Sequence, residues 1–286
     1  MTGRRLPIRR TAKLFVGGQF PRSESGRSYE VWSADGRLLA HAARASRKDL
    51  RDAVVAARGA FAGWAGRTPY NRGQILYRVA EIIEGRRAQF EDELRDAGAD
   101  DPDGEVGVAI DRWVWYAGWA DKIAQVAGGT NPVAGPYFNF TIPEPTGVVG
   151  IVAPAEAPLL DLVSRVAPAI VSGNTAVAIA SEAAPLPAVS LAEALATSDV
   201  PGGVINLLTG HPSELVPWLA DHMDVNAIDL TGCPQELIAE AERSAAENVK
   251  RVHRAPAVDV FSAAAQHLSE ITALVEFKTV WHPIGA

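Results

Sequence analysis

Residues 146–182 read TGVVGIVAPAEAPLLDLVSRVAPAIVSGNTAVAIASE. Val148–Ala153 is a nearly unbroken apolar run, the pattern of a parallel strand buried on both faces. Leu159–Val171 follows with a helix-like pattern, and Thr175–Ile179 is a second strand-like run after Gly173 and Asn174. The alternation continues downstream. Strand-like Val204–Leu208, Ala227–Leu230 and Val249–Val252 are separated by helix-like Leu186–Ala196, Ser213–Asp221 and Gln235–Ala246. Strand–helix–strand repetition with short Gly/Pro turns implies parallel strands joined by right-handed crossovers. The expected fold class is therefore α/β, an open parallel sheet with helices on both faces.

Upstream of this block, LFVGGQF and SYEVWS are strand-like, with turns at Gly17–Gly18 and Ala34-Asp35-Gly36. Ser46 opens a helix, and Asp49 three residues on makes a capping box weaker than one with Glu. Leu50, Val54, Ala57, Phe61 and Trp64 give that helix one apolar face. Pro69 starts a second helix that reaches about Phe90, and a third spans roughly Val108–Val126. Between them Leu94–Gly107, rich in Asp and Gly and without periodicity, reads as a loop. Gly128–Pro145 breaks the alternation. Phe138, Phe140 and Ile142 alternate with polar residues there, as in a half-buried strand leaving the domain.

Several of these stretches together resemble the aldehyde dehydrogenase family: LFVGGQF, AVVAARGAFAGWAGRTPYNRGQIL, YAGWADKI, YFNFTIPEPTGVVGIVAP, APAIVSGNTAVAIASEAAP, VPGGVINLLTG, AIDLTGCPQE and, near the end, EFKTVW. The resemblance implies a Rossmann-like sheet from residues 1–127 and 147–260, plus a small β oligomerisation arm from 128–146 and 270–286. Phe138, Phe140, Ile142, Phe277, Val280 and Trp281 would form that arm's contact surface. The α/β core itself is expected to be built from residues before Arg254.

Aldehyde oxidation in this family needs a cysteine nucleophile, an asparagine in the oxyanion hole, a nicotinamide and a glutamate base. The family's Pro-Trp-Asn-Phe-Pro motif corresponds to Pro154-Ala155-Glu156-Ala157-Pro158, so Glu156 stands at the asparagine position. Glu156 reads either as a solvated loop residue or as a new acid/base group. The family's cofactor lysine is replaced by Ile179, while Glu182, its ribose-binding partner, remains. The phosphate-binding Thr-Gly-Ser becomes Thr231-Gly232-Cys233, with Pro234 placed as the first helical residue. Cys233 is a thiol at a helix start with no recognised base beside it. Ala255 stands at the general-base position, and His253 nearby reads as an exposed strand-end residue or an alternative base. No cysteine lies among the 31 residues after Ala255. The six histidines show no metal-ligand spacing, so no metal site is expected.

A net charge of −7 argues against nucleic acid or an anionic membrane as the main partner. Arg4, Arg5, Arg9 and Arg10 form a basic start that reads as a flexible arm without the apolar core of a signal peptide. No run approaches the roughly 20 apolar residues of a membrane span. One cysteine is ordinary for a reducing compartment, so a cytoplasmic location is expected.

These substitutions lead to one main expectation. The chain is a truncated family member without the catalytic domain, a catalytically inactive subunit (pseudoenzyme) with a structural or regulatory role. No cofactor, or only weakly held NAD, is expected. The partner would be a full-length aldehyde dehydrogenase subunit, or the chain would self-associate. The alternative is an NAD-binding oxidoreductase of the same family with residual or altered activity.

Overall fold

The computed structural model describes residues 10–285, and at its centre lie five parallel strands. These are β6 (Val148–Val152), β7 (Thr175–Ile179), β8 (Ile205–Leu208), β9 (Ala227–Asp229) and β10 (Arg251–His253), in the order β10-β9-β6-β7-β8. The chain runs outward from β6 through β7 to β8, then returns across β6 to lay down β9 and β10. The reversal falls between β6 and β9, where open α/β sheets leave a crevice at the strands' carboxyl ends. The Rossmann-like sheet and its flanking helices agree with the sequence reading.

Side-chain alternation along β6, β7, β8 and β9 feeds two separate cores. Val148 and Val152 of β6 join Val177, Ile179, Leu208 and Ile228 beneath α1 (Arg47–Ala65), α8 (Pro212–Asp221) and α9 (Gln235–Glu247). Val149 and Ile151 face the opposite way, with Ala176, Ala178 and Leu207, under α6 (Pro158–Val171), α7 (Leu186–Ala196) and the N-terminal helices. Those helices are α2 (Pro69–Gly85), α3 (Arg87–Ala97), α4 (Pro102–Trp119) and the short α5 (Ile123–Ala127). Trp64, Trp113 and Tyr116 fill the space between them. Every residue of α6 is buried, consistent with a helix enclosed on all sides rather than an amphipathic one.

Two smaller sheets flank this body. β1 (Arg10–Ala12), β2 (Ser28–Trp32) and β3 (Leu38–Ala43) form one, in the order β1-β3-β2. The other joins β4 (Gly129–Asn131), β5 (Tyr137–Pro145) and β11 (Val275–Pro283) in the order β11-β5-β4. β11 pairs antiparallel with β5 along its whole length, from Val275 opposite Pro145 to Pro283 opposite Tyr137. Phe138, Ile142, Phe277, Val280 and Trp281 are exposed on it, and Phe140 is half-buried. The two parts of the arm are thus brought together as expected.

Several local readings are corrected. LFVGGQF is not a strand; it makes only isolated bridges, Phe15 to Leu207 and Val16 to Gln19. Leu94–Gly107 is not a loop either. Gly98 ends α3 at φ 90°, and the Asp101 side chain accepts the Gly104 N–H at 3.0 Å to start α4 behind Pro102. Aspartate and glycine there are punctuation between two helices, which composition alone mistakes for a linker. The second expected helix is interrupted at Arg86, and the third starts at Pro102 and ends at Trp119, before α5. The capping box at Ser46 and Asp49 is complete, with both reciprocal bonds formed. Arg10 is no flexible arm residue, because it pairs with Glu93 at 3.2 Å and with Glu193. Arg4, Arg5 and Arg9 lie outside the described residues.

The expectation that everything after Arg254 lies outside the core also fails. Between β10 and β11 the chain forms the short helix α10 (Leu268–Thr272), and Ile271 and Leu274 belong to the main core. Asn174 is fully buried and donates to the Leu274 carbonyl at 2.8 Å while accepting the Gly147 N–H.

Candidate functional site

Of the residues singled out from sequence, Glu156, Glu182, Thr231, Gly232, Pro234 and Ala255 gather around two hollows at the carboxyl ends of β6, β7, β9 and β10. They meet where the turn after β9 touches the turn after β6. Gly232 donates its N–H to the Val152 carbonyl at 2.9 Å, and a side chain at Gly232 would run into the Ala153–Pro154 backbone. Only glycine allows these two turns to close on each other.

The first hollow, about 670 Å³, lies on the α6 and α10 side and contains Glu156, Thr231 and Ala255 in its walls. Thr231 organises it: its N–H donates to Asp229 at 2.9 Å and its hydroxyl accepts the Ala255 N–H at 2.9 Å. Glu156 is exposed at the rim. Asp161, Arg165 and Glu270 line the same space, and none of these was singled out from sequence. Arg165 is buried between two carboxylates, paired with Glu270 and 3.7 Å from Asp229. His253 is neither exposed nor a free base, because its Nε2 is held by Glu270 at 3.0 Å.

Charges in this hollow are tuned by burial. Asp161 accepts the Ala157 N–H at 2.8 Å, and Glu105, reaching over from α4, accepts those of Leu159 and Leu160. Two buried carboxylates thus complete the first turn of α6. Burial pushes Asp161 up to about 6, opposed by the Ala157 N–H and reinforced by the charge of Glu156. Burial would also raise Glu270, but the His253 hydrogen bond and the Arg165 guanidinium outweigh it and hold that carboxyl near about 2. Two acids in one cavity are driven apart by their surroundings, an arrangement that suits acid–base work.

The second hollow, about 750 Å³, lies on the β7 and α8 side and includes Glu182, Gly232 and Pro234. Trp32, Tyr29 and His211 form its far wall. Glu182 is held by His211, whose Nδ1 sits 2.6 Å from its Oε1. Ile179 does not reach this space; it is fully buried in the core beneath α1 and α8. Between the hollows α9 begins. Pro234 is its N-cap rather than its first helical residue, and no side chain caps the turn. The Leu237 N–H turns back to the Pro234 carbonyl at 2.9 Å, which leaves the N–H groups of Gln235 and Glu236 as the donors an anion would meet.

Cys233 is brought to neither hollow. It is buried against Ile238 and its neighbours, with Sγ 3.6 Å from the Pro234 carbonyl. Burial, with help from Glu236, pushes the thiol up to about 11, the opposite of an activated nucleophile.

A dinucleotide fits this arrangement by the chemistry of its donors and acceptors: a carboxylate for a ribose, an uncapped helix start for a pyrophosphate, and a hollow on either side. The aldehyde dehydrogenase family model matches residues 20–255. Cytosolic 10-formyltetrahydrofolate dehydrogenase of Xenopus tropicalis is 37% identical over 251 residues, covering 84% of this chain and 28% of that protein. The crystal structure of HpcC from Thermus thermophilus superposes with a TM-score of 0.81 at 33% identity, over 86% of this chain and 48% of HpcC. The NAD+ complex of an aldehyde dehydrogenase from Bacillus cereus gives 0.79 at 27% identity, over 85% of this chain and 50% of that one. The chain thus spans about half or less of the length of these proteins.

These findings overturn the expectation of a truncated, catalytically inactive subunit without a cofactor. The family match runs across the whole α/β region, and the Xenopus and Bacillus proteins are dehydrogenases, the latter solved with NAD+. Losing the lysine at Ile179 and the hydroxyl at Cys233 leaves the helix start, the Gly232 closure and Glu182 in place. Among the described residues no helix is long and apolar enough to cross a membrane.

Proposed function

Because the chain belongs to the aldehyde dehydrogenase family, we propose that it carries the cofactor-binding part of an NAD(P)-dependent oxidoreductase acting on aldehydes, with an altered acid–base arrangement. The observation that carries this reading is the pair of hollows meeting at Gly232 beside the uncapped start of α9. Glu182 would hold the adenosine ribose and the first turn of α9 the pyrophosphate, leaving the hollow at Thr231 for the nicotinamide and the aldehyde. The bound nicotinamide would supply the hydride acceptor. In that hollow Asp161, tuned toward neutrality, is the group suited to taking or returning a proton. Glu156 at the rim replaces a neutral hydrogen-bond donor with a carboxylate, which alters how a developing oxyanion is met.

The exposed arm of β5 and β11 is proposed as the contact with another subunit, either a full-length aldehyde dehydrogenase or a second copy of this chain, by strand addition. The single cysteine and the absence of a membrane-crossing helix among the described residues support a cytoplasmic setting.

Calorimetric titration of the purified chain with NAD and NADP tests the cofactor assignment. Saturable binding at one site is expected, weakened by Gly232→Val, whose side chain would wedge the two turns apart. Failure of both cofactors to bind at millimolar concentration overturns the reading.

A further inference from the structure

The charges that line the first hollow do not balance. Every cation there is already engaged. Arg165 pairs with Glu270 and lies 3.7 Å from Asp229, so two carboxylates surround one guanidinium. Arg254 at the rim reaches Glu242 at 3.7 Å. His267 caps α10, its Nδ1 accepting the Ser269 N–H at 3.1 Å. Arg112 does not line the hollow, and its terminal N–H groups go to Ser164 and to the Val260 and Ala265 carbonyls.

The two acids at the start of α6 have no such partner. Asp161 is only 6% exposed; its Oδ2 accepts the Ala157 N–H, while Oδ1 faces the hollow without a hydrogen-bond partner among the described residues. Glu156 takes only the neighbouring Ala155 N–H, at 3.1 Å. The two repel each other, the charge of Glu156 adding to burial in disfavouring the Asp161 carboxylate. A cation bound between them would relieve both. Among the described residues no three His, Cys, Asp or Glu side chains group as metal ligands, so a metal ion would lack donors there. An ammonium carries three N–H donors and needs only acceptors of this kind. Beside the acids, Ala257, Val258, Val260 and Ala264 make an apolar wall suited to a short alkyl chain.

We propose that the aldehyde taken into the first hollow is a cationic one, an aminoaldehyde, whose ammonium group is met by Asp161 within and by Glu156 at the rim while its chain lies along the apolar wall. The proposal rests on the function inferred above and adds the substrate class to it. An ammonium stabilises the ionised form of Asp161, which is the form able to take a proton, so the same carboxylate serves recognition and acid–base work.

The test is ligand-observed NMR titration of the full chain with three unreactive probes of similar length: 4-aminobutan-1-ol, pentan-1-ol and 4-hydroxybutanoate. Each has a hydroxyl in place of the aldehyde, and they differ in charge at the other end. The amine is expected to bind wild type about tenfold tighter than the neutral alcohol, and the anion more weakly than either. Asp161→Asn, which can still accept the Ala157 N–H, should remove the preference for the amine and leave the neutral alcohol unchanged; Glu156→Gln should reduce the preference by a smaller factor. In wild type the amine should lose affinity as pH falls below about 6, by up to about tenfold per pH unit, while pentan-1-ol does not respond. Equal binding of amine and alcohol, tighter binding of the anion, or no binding of any probe overturns the proposal, and an amine preference that survives Asp161→Asn removes Asp161 from it. Thermal unfolding checks the variants, and if Asp161→Asn does not fold, a wild-type amine affinity that is flat from pH 5 to 7 overturns the proposal by itself. NAD titrated into the same samples keeps the two readings apart: NAD binding without an amine preference sinks the substrate class alone, whereas an amine preference without NAD binding upholds the cation site and sinks the cofactor reading.

Discussion

Asp161 and Cys233 show how one side chain's surroundings decide what it can do. Asp161 binds its proton more tightly folded than unfolded, with a value near about 6 against 3.8. Folding therefore favours the protonated form, and its contribution to stability falls as pH rises from about 4 to 6, by up to about 3 kcal/mol. Asp161→Asn can still accept the Ala157 N–H but does not titrate. Its stability relative to wild type should grow across that window and level off above pH 7, as urea unfolding at several pH values would show; a constant difference would contradict the assignment. Cys233, raised to about 11, should react with iodoacetamide at pH 8 about a hundredfold more slowly than a free thiol. Alkylation at the free-thiol rate in the native state would refute its burial. The sequence placed Glu182, Thr231, Gly232, Glu156 and Ala255 near the site, because each sits in a local motif. Asp161, Arg165, His211 and Glu270 were not legible as site residues. Glu270 is 105 positions from Arg165, and only the fold makes them neighbours.

Among the elements, strands and crossovers were more legible than helix ends. β7 falls where its apolar run predicts, from Thr175 to Ile179, because burial on both faces leaves little tolerance for polar residues. The breaks at Arg86 and between Gly98 and Asp101 were missed, since caps and linkers draw on the same small polar residues. α10 was missed because five residues carry too little periodicity to see. Its importance is energetic. Glu270 at its centre neutralises buried Arg165, so Glu270→Ala should cost about 3–5 kcal/mol in chemical unfolding. The same reasoning separates two shortened chains. One ending at Val275 keeps α10 and should melt cooperatively, whereas one ending at Ser269 loses Glu270, Ile271 and Leu274 and should be markedly less stable. Equal melting temperatures for the two would show that α10 is dispensable.

At the scale of the whole molecule, the arm of β5 and β11 presents Phe138, Phe277, Val280 and Trp281 to solvent, away from the core. Exposed apolar side chains on a three-stranded sheet with an open edge favour association. Replacing Phe138, Phe277 and Trp281 with serine should lower the mass measured by light scattering at micromolar concentration while the far-UV dichroism of the α/β body persists. A wild-type chain that is monomeric under these conditions, and that captures no full-length aldehyde dehydrogenase, would remove the arm from the account of assembly. The charge of −7 adds a uniform repulsion between copies, so the apolar contact should strengthen with added salt rather than weaken.

The pairing of Pro145 with Val275 sets a timetable for synthesis. β5 leaves the ribosome long before β11 exists, and at roughly 5–20 residues per second the interval between them is on the order of ten seconds. During that time the sheet of β6 to β10 can assemble, because its strands follow one another closely, while one long edge of β5 waits unpaired. Phe138 and Phe140 are therefore accessible to chaperones or to a neighbouring nascent chain in that interval, and slowed translation between β9 and β11 should increase aggregation without changing the stability of the finished protein.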